Sequence, residues 1–249
     1  MKRKLIYKLA SRNRPDKFKH VLGKSVGMLS GKHDVRFVIT LDTDDETMNN
    51  DEIRKWMDDL DVDLIYHYGD SKTKIEACNA NLEDEDGDVL LLVSDDMIPC
   101  FPDFDDIIMQ GMEQHFPSMD GAIKFFDGLR PRTDLLMTLP VLGWNLYKAF
   151  GYVYHPDYTS VYADNEMTMV CNGIGKLINS PVCIFRHEWT NQPFDELHAR
   201  NENAEMYAID GKVFEERKNK NFDMDNVLEN IVGWLWKLLL LVYGGMTPS

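Results

Sequence analysis

The sequence predicts a layered α/β domain with a mostly parallel central sheet flanked by helices, and three observations predict it. From Lys4 to Val93, short apolar runs alternate with segments of helical period. One run, Val89–Val93 (VLLLV), is wholly apolar, as suits a strand covered on both faces. The chain has 249 residues, 44% of them hydrophobic, which is enough for one sizeable core. No internal repeat, low-complexity run or Pro/Gly/Ser linker divides it.

Taken in order, Lys4–Ser11 reads as a first strand that ends in the turn-like SRNRP, followed by a helix from Pro15 to Leu29. Asp34–Asp42 is a second strand ending in the acidic loop DTDDETM. Between Asn50 and Leu60, Ile53, Trp56, Met57 and Leu60 recur at helical spacing. Val62–Gly69 is a third strand, Ser71–Glu83 a helix, and VLLLVS a fourth strand. Beyond Pro99 the rhythm changes. PDFDDIIMQGMEQHF reads as a helix and DGAIKFFDG as a strand. The next stretch is irregular and aromatic-rich, with helices at Trp144–Phe150 and Asp164–Cys171. PVCIFRHEW is another strand, and a polar helical stretch runs from Asn191 to Lys218.

A net charge of -15 argues against nucleic acid as a partner, because phosphate contacts need concentrated Lys and Arg. An anionic ligand must be held locally, by a metal or a few basic residues. The cysteines Cys78, Cys100, Cys171 and Cys183 make no CxxC pair and read as reduced, buried thiols of a cytoplasmic protein. The basic N-terminus has too short and too charged an apolar stretch for a signal peptide. IVGWLWKLLLLVY (Ile231–Tyr243) contains Lys237 and falls short of the about 20 apolar residues that a spanning helix needs.

In an open α/β sheet, ligands collect at the carboxyl ends of the strands. There the first strand delivers Ser11, Arg12, Asn13 and Arg14, and the second Asp42, Asp44 and Asp45. The third delivers Asp70, Lys72 and Lys74, and the fourth Ser94, Asp95 and Asp96. A carboxylate pair at the end of a buried strand is costly unless a cation or hydrogen bonds compensate it. A hard divalent ion does so, since Mg²⁺ and Mn²⁺ prefer oxygen ligands and share them with phosphates. A solvated turn or a helix cap is the plainer reading of the same two residues.

The order SRNRP, DTDD, YGDSKTKIEACNAN, LLLVSDDMIP, YADNEMT and FRHEW resembles the GT-A-fold glycosyltransferases, in particular the inverting, family-two-like enzymes. The resemblance spans roughly residues 4 to 190 and implies a Rossmann-like GT-A domain over 1–221, with an irregular acceptor-side region. A hydrophobic helical tail over 222–249 lies outside it. It implies a nucleotide-sugar donor, UDP-linked, and Mn²⁺ or Mg²⁺ as cofactor. Asp96 is then the metal ligand of a DxD-like motif, with Asp95 against the donor ribose or sugar, and His187 a late metal ligand. Ser94 departs from the pattern, standing where the first aspartate usually is. Ser11, Arg12 and Arg14 resemble the loop that holds the nucleotide. Asp42 or Asp44 resembles the residue that reads uracil or ribose, and Lys74 and Asn79 match a pattern near the diphosphate.

Inverting transfer also needs a base on the acceptor side. YADNEMT supplies Asp164 and Glu166, which are two residues apart and so do not share a helix face. The resemblance favours Asp164, with Glu166 the rival; both could instead merely open a helix. The acceptor is a glycan, a lipid-linked sugar or a protein. A nucleotidyltransferase is the alternative enzyme, although SRNRPDKF lacks the glycine-rich loop such enzymes use; a silent nucleotide- or sugar-binding relative is the alternative outside catalysis. GKSVG lacks the upstream glycine of a P-loop, and NGIGKL is a short turn. The aromatics Trp144, Tyr147, Phe150, Tyr152, Tyr154, Tyr158 and Tyr162 suit both a core and a sugar platform. The tail has three readings: contact with a membrane surface, self-association, or folding back onto the domain.

Overall fold

Period-two alternation sorts the central strands' side chains into two cores. In β1 (Lys4–Ala10), Leu5, Tyr7 and Leu9 enter one core and Ile6 the other. In β4 (Val89–Val93), Val89, Leu91 and Val93 join the first core, and Leu90 and Leu92 the second. Full burial of a side chain of this size stabilises by about 1.5–3 kcal/mol, so these two strands anchor both layers. This computed structural model describes residues 2–129, 131, 133–188 and 195–243, with side chains to residue 233.

β1, β4, β2 (Asp34–Asp42) and β3 (Asp63–Gly69) run parallel. They belong to a seven-stranded sheet of order β3-β2-β1-β4-β7-β6-β8. β7 (Val141–Gly143) is antiparallel to β4 and to β6 (Ala122–Phe125), and β8 (Leu177–Ser180) is parallel to β6. The chain leaves β1 towards β2 on one side and returns with β4 on the other. A crevice opens at the carboxyl ends of strands where the order reverses in this way. β5 (Met97–Pro99) pairs antiparallel with β9 (Phe185–His187) in a separate two-stranded sheet, setting Met97 opposite His187.

The helices are α1 (Pro15–Gly27), α2 (Asp51–Asp58), α3 (Lys74–Asn79), α4 (Phe104–His115) and α5 (Trp144–Phe150). They continue as α6 (Ala163–Gly173), α7 (Glu196–Asn201), α8 (Ala204–Asn219) and α9 (Met224–Tyr243). Against expectation, α3 starts only at Lys74, because the Thr73 side chain caps it by accepting from Glu76 N at 3.1 Å. The polar C-terminal stretch is two helices, because the Asn203 side chain accepts from Glu205 N and Met206 N and starts a new one. β5, β7 and β8 have three or four residues each, too few to show a period. Part of the expected PVCIFRHEW strand and of the stretch after it, residues 189–194, lies outside the described residues.

Cys78 and Cys171 are buried as expected, but Cys100 is exposed and its Sγ lies 3.6 Å from that of Cys183. The first turns of α9 fold back onto the domain: Val227 and Ile231 enter the second core, and Asn230 Nδ2 donates to Ala149 O of α5 at 2.9 Å. Among the described residues, no helix is long and apolar enough to cross a membrane.

Candidate active site

A cleft of about 410 Å³ opens where β1 and β4 end. Ser11, Arg12, Arg14 and Asp42 form one wall, Ser94–Met97 the floor, and Ser160–Asn165 with Leu136, Thr138 and Tyr154 the opposite wall. His198 and Arg200, on or beside the short helix α7, close one side.

The floor shows how two adjacent carboxylates can be buried at a strand end. Asp95 and Asp96 are 4% and 7% exposed, yet they are compensated differently. Asp95 accepts from Ser11 Oγ at 2.6 Å and from Arg14 NH1 at 2.7 Å. Burial still raises its pKa above the usual range in spite of Arg14 and Ser11. Asp96 has no guanidinium: Ser94 Oγ donates to its Oδ1, while His187 Nε2 and His198 Nε2 stand 3.5 Å and 3.8 Å from Oδ2. Burial pushes the Asp96 carboxyl up, but His187, His198 and Ser94 together hold it well below the usual range. Asp96 therefore remains an anion facing the cleft. Ser94 serves that anion as a donor.

On the first wall, Arg12 NH1 donates to Asp42 Oδ2 at 2.8 Å, and the same guanidinium is forked onto Asp44. Asp44 is exposed and does not line the cleft; Asp42 is buried and does. Asp42 Oδ1 is buried and has no hydrogen-bond partner in the structure. Asn13, at φ 58, turns its backbone N–H onto Asp45 Oδ2 at 2.6 Å and so fixes the loop between Arg12 and Arg14.

Arg14 also reaches a segment far along the chain. Its Nε and NH2 form a fork on Asp195, at 2.9 and 2.6 Å, and NH2 donates to His198 Nδ1 at 2.9 Å. Asp195 in turn caps α7 by accepting from His198 N. A single arginine thus ties the floor to a helix far along the chain. Sequence reasoning missed Asp195 and His198, which carry no motif and reach the site only through the tertiary fold.

Lys74 opens α3 and lines the cleft, accessible to solvent. The enclosing walls lower the pKa of its ammonium, but the negative charges of Glu202, Asp96 and Asp164 outweigh them and raise it. The structure does not bring Asn79 to the cleft. Its Oδ1 accepts from Val153 N and Tyr154 N, and its Nδ2 donates to Tyr154 O at 2.6 Å, so the side chain is engaged in holding that turn.

Asp164 and Glu166 diverge, as their spacing requires. Asp164, in the first turn of α6, lines the cleft. Glu166 is 3% exposed and turned away from the cleft; Arg217 Nε and NH2 grip both of its oxygens at 2.7–3.0 Å, and Tyr158 OH donates to Oε2 at 2.7 Å. Of the aromatics, Trp144, Tyr154 and Tyr158 pack in the second core, and Tyr154 and Tyr162 line the cleft.

A divalent cation can be tested against these donors. Among the described residues, no group of three or more His, Cys, Asp or Glu side chains forms a ready-made metal cage. A hard cation that acts on a diphosphate does not require one: Mg²⁺ usually binds through one or two carboxylates, with substrate phosphates and waters completing its shell. Asp96, an anion with His187 beside it on the cleft floor, fits that role.

No protein-family profile matches the chain, and no curated protein matches its sequence. Solved structures do match its fold. A mannosyltransferase from Pyrobaculum calidifontis, PcManGT, in complex with GDP-Man and Mn²⁺, aligns with TM-score 0.59 and 11% identity over 95% of this chain and 88% of that one. S. aureus TarS in complex with UDP-GlcNAc aligns with TM-score 0.62 and 13% identity over 83% of this chain and 64% of that one. Glucosyl-3-phosphoglycerate synthase from Mycobacterium tuberculosis, with Mn²⁺, UDP and phosphoglyceric acid, aligns with TM-score 0.54 and 15% identity, over 80% and 75% of the two chains. With its strand order, its cleft and these likenesses taken together, the chain has the GT-A fold of nucleotide-sugar glycosyltransferases.

Proposed function

We propose that this protein is an inverting glycosyltransferase that moves a sugar from a nucleotide-diphosphate sugar, UDP-linked, to an acceptor hydroxyl. The observation that carries the reading is the unequal compensation of the floor carboxylates. Asp95 is answered by Ser11 and Arg14, while Asp96 stays anionic and open to the cleft. Asp96 and His187 would hold Mn²⁺ or Mg²⁺, which supplies positive charge to the diphosphate. Asp42, which lines the cleft, accepts from a ribose hydroxyl or a base N–H. Lys74 aims an ammonium at the leaving group, where negative charge grows as the anomeric bond breaks. Across the cleft, Asp164 takes the proton of the acceptor hydroxyl as its oxygen attacks the anomeric carbon. Glu166, bonded to Arg217, is not placed to do so.

The solved structures of this fold hold GDP-Man in one case and UDP or UDP-GlcNAc in others, so the test compares bases. Calorimetric titration of UDP and GDP, with and without Mn²⁺, is expected to show metal-dependent binding of UDP that Asp96→Ala abolishes. Equal UDP binding by both proteins, with and without Mn²⁺, would refute the assignment of the floor.

A further inference from the structure

Helix α8 mixes polar and apolar residues, and its inner face carries two buried charges. Asp210 is 0% exposed and Arg217 6%, and they lie two turns apart with Val213 and Phe214 between them on the same face. Neither lines the cleft. Together they hold the two ends of the segment that delivers Asp164. Asp210 Oδ1 accepts from Thr159 N at 2.9 Å and Thr159 Oγ1 at 2.7 Å, and Oδ2 accepts from Ser160 N and Val161 N at 2.8 Å each. Arg217 holds Glu166 at the other end. Between the two anchors, residues 160–165 form the acceptor wall. Tyr162, at φ 63, adopts a left-handed conformation that a bulky residue keeps only when its surroundings impose it.

A fully buried carboxylate is tolerated only when its lone pairs are used, and here three consecutive backbone N–H groups and one hydroxyl use them. Such an arrangement specifies a backbone shape rather than a mere contact. We propose that Asp210 is a positioning residue. Its carboxylate shapes Thr159–Val161 so that Asp164, three residues further on, faces the cleft. The consequence for turnover rests on the glycosyl-transfer reading; the shaping of the segment does not.

The test uses the full chain and the variants Asp210→Asn and Asp210→Glu. Asparagine keeps the size but can turn an N–H donor towards the backbone N–H groups, and glutamate keeps the charge but pushes the segment away. Hydrogen exchange in Asp210→Asn should speed up about tenfold or more at Thr159–Val161, while β1 and β4 stay within about twofold of wild type. UDP affinity in the presence of Mn²⁺ should stay within about twofold, because the donor wall is untouched, and kcat should fall about 100-fold with donor KM unchanged. A merely structural role would speed exchange throughout the chain and lower turnover only in step with the number of UDP-binding sites. Unchanged exchange at Thr159–Val161, or unchanged kcat per UDP-binding site, would overturn the proposal. Should neither Asp210 variant fold, Thr159→Val removes the hydroxyl bond alone, and the same measurements should show about threefold effects; no effect would overturn the proposal. If the wild type neither binds UDP nor turns over a donor, the glycosyltransferase reading fails, and hydrogen exchange still decides what Asp210 does.

Discussion

On the wall proposed for the donor, most of the charged side chains are answered from neighbouring strand ends: Ser11 and Arg14 meet Asp95, and Arg12 meets Asp42 and Asp44. On the opposite wall, proposed for the acceptor, the answering groups come from α8, where Asp210 holds Thr159 and Arg217 holds Glu166, each 51 residues along the chain. A parallel sheet supplies the first arrangement as a by-product of its topology. The second depends on one helix docking with its buried charges matched. The first wall, tied to α7 through Arg14 but not to α8, should therefore tolerate disturbance of α8, whereas the opposite wall should not.

The largest expected effect separates the walls by chemistry. Asp164→Asn should lower donor turnover about 1000-fold, near the middle of what a positioned base contributes, and leave UDP affinity unchanged. Turnover within threefold of wild type, measured by steady-state product release, would place the base elsewhere.

Next comes the cost of an unmatched anchor. Arg217→Met leaves Glu166 buried without its cation and should destabilise by about 3 kcal/mol in urea denaturation, whereas adding Glu166→Gln should restore part of that loss. The refolded protein should still bind UDP. If UDP binding is lost while the sheet remains folded, the two walls are coupled and the comparison fails.

Asn79→Ala sharpens the boundary between the walls, because the resemblance assigns Asn79 to the donor while the structure has it holding Val153 and Tyr154. The expected result is a loss of about 2 kcal/mol in stability from unsatisfied backbone N–H groups, with UDP affinity unchanged. A weakened UDP isotherm at unchanged stability would return Asn79 to the donor site.

The smallest effect is a pH dependence beneath the donor wall. Lys8 is fully buried on β1, bonded to Thr40 and to Ala80 O, and burial pushes its ammonium down to about 8. The unfolded chain keeps that proton to about pH 10.4. Below about pH 8 both states are protonated, whereas between the two values the unfolded chain binds more protons, so stability rises with pH. Measured against Lys8→Met in urea, the wild type should gain about 1 kcal/mol from pH 7 to pH 9. A flat difference would mean that folded Lys8 is still charged at pH 9, and a gain of about 2.7 kcal/mol that it is already neutral at pH 7.

Legibility followed the same divide. The ends of β1, β2 and β4 could be placed on one edge because each strand announces itself as a short apolar run bounded by polar turn residues, and parallel pairing then aligns their ends. SDD could be read as the end of a central strand for that reason. The helix carrying Asp210 and Arg217 was legible only as a polar stretch, because charges flank Val213 and Phe214 on its buried face and interrupt the apolar stripe that marks an inner face. β7 and β8 were too short to show a period.

Sequence alone determined the fold class, the strand ends that gather charge, and the divergence of Asp164 from Glu166, since helical rise turns residues two apart to different faces. Tertiary structure alone decided which of the two faces the cleft. Helical phase is local, but the groups that answer each face are not: Arg217 draws Glu166 inward, and Arg14 brings Asp195 and His198 to the floor. Distant partners leave no spacing to read, because the chain between them can be of any length that lets both ends meet.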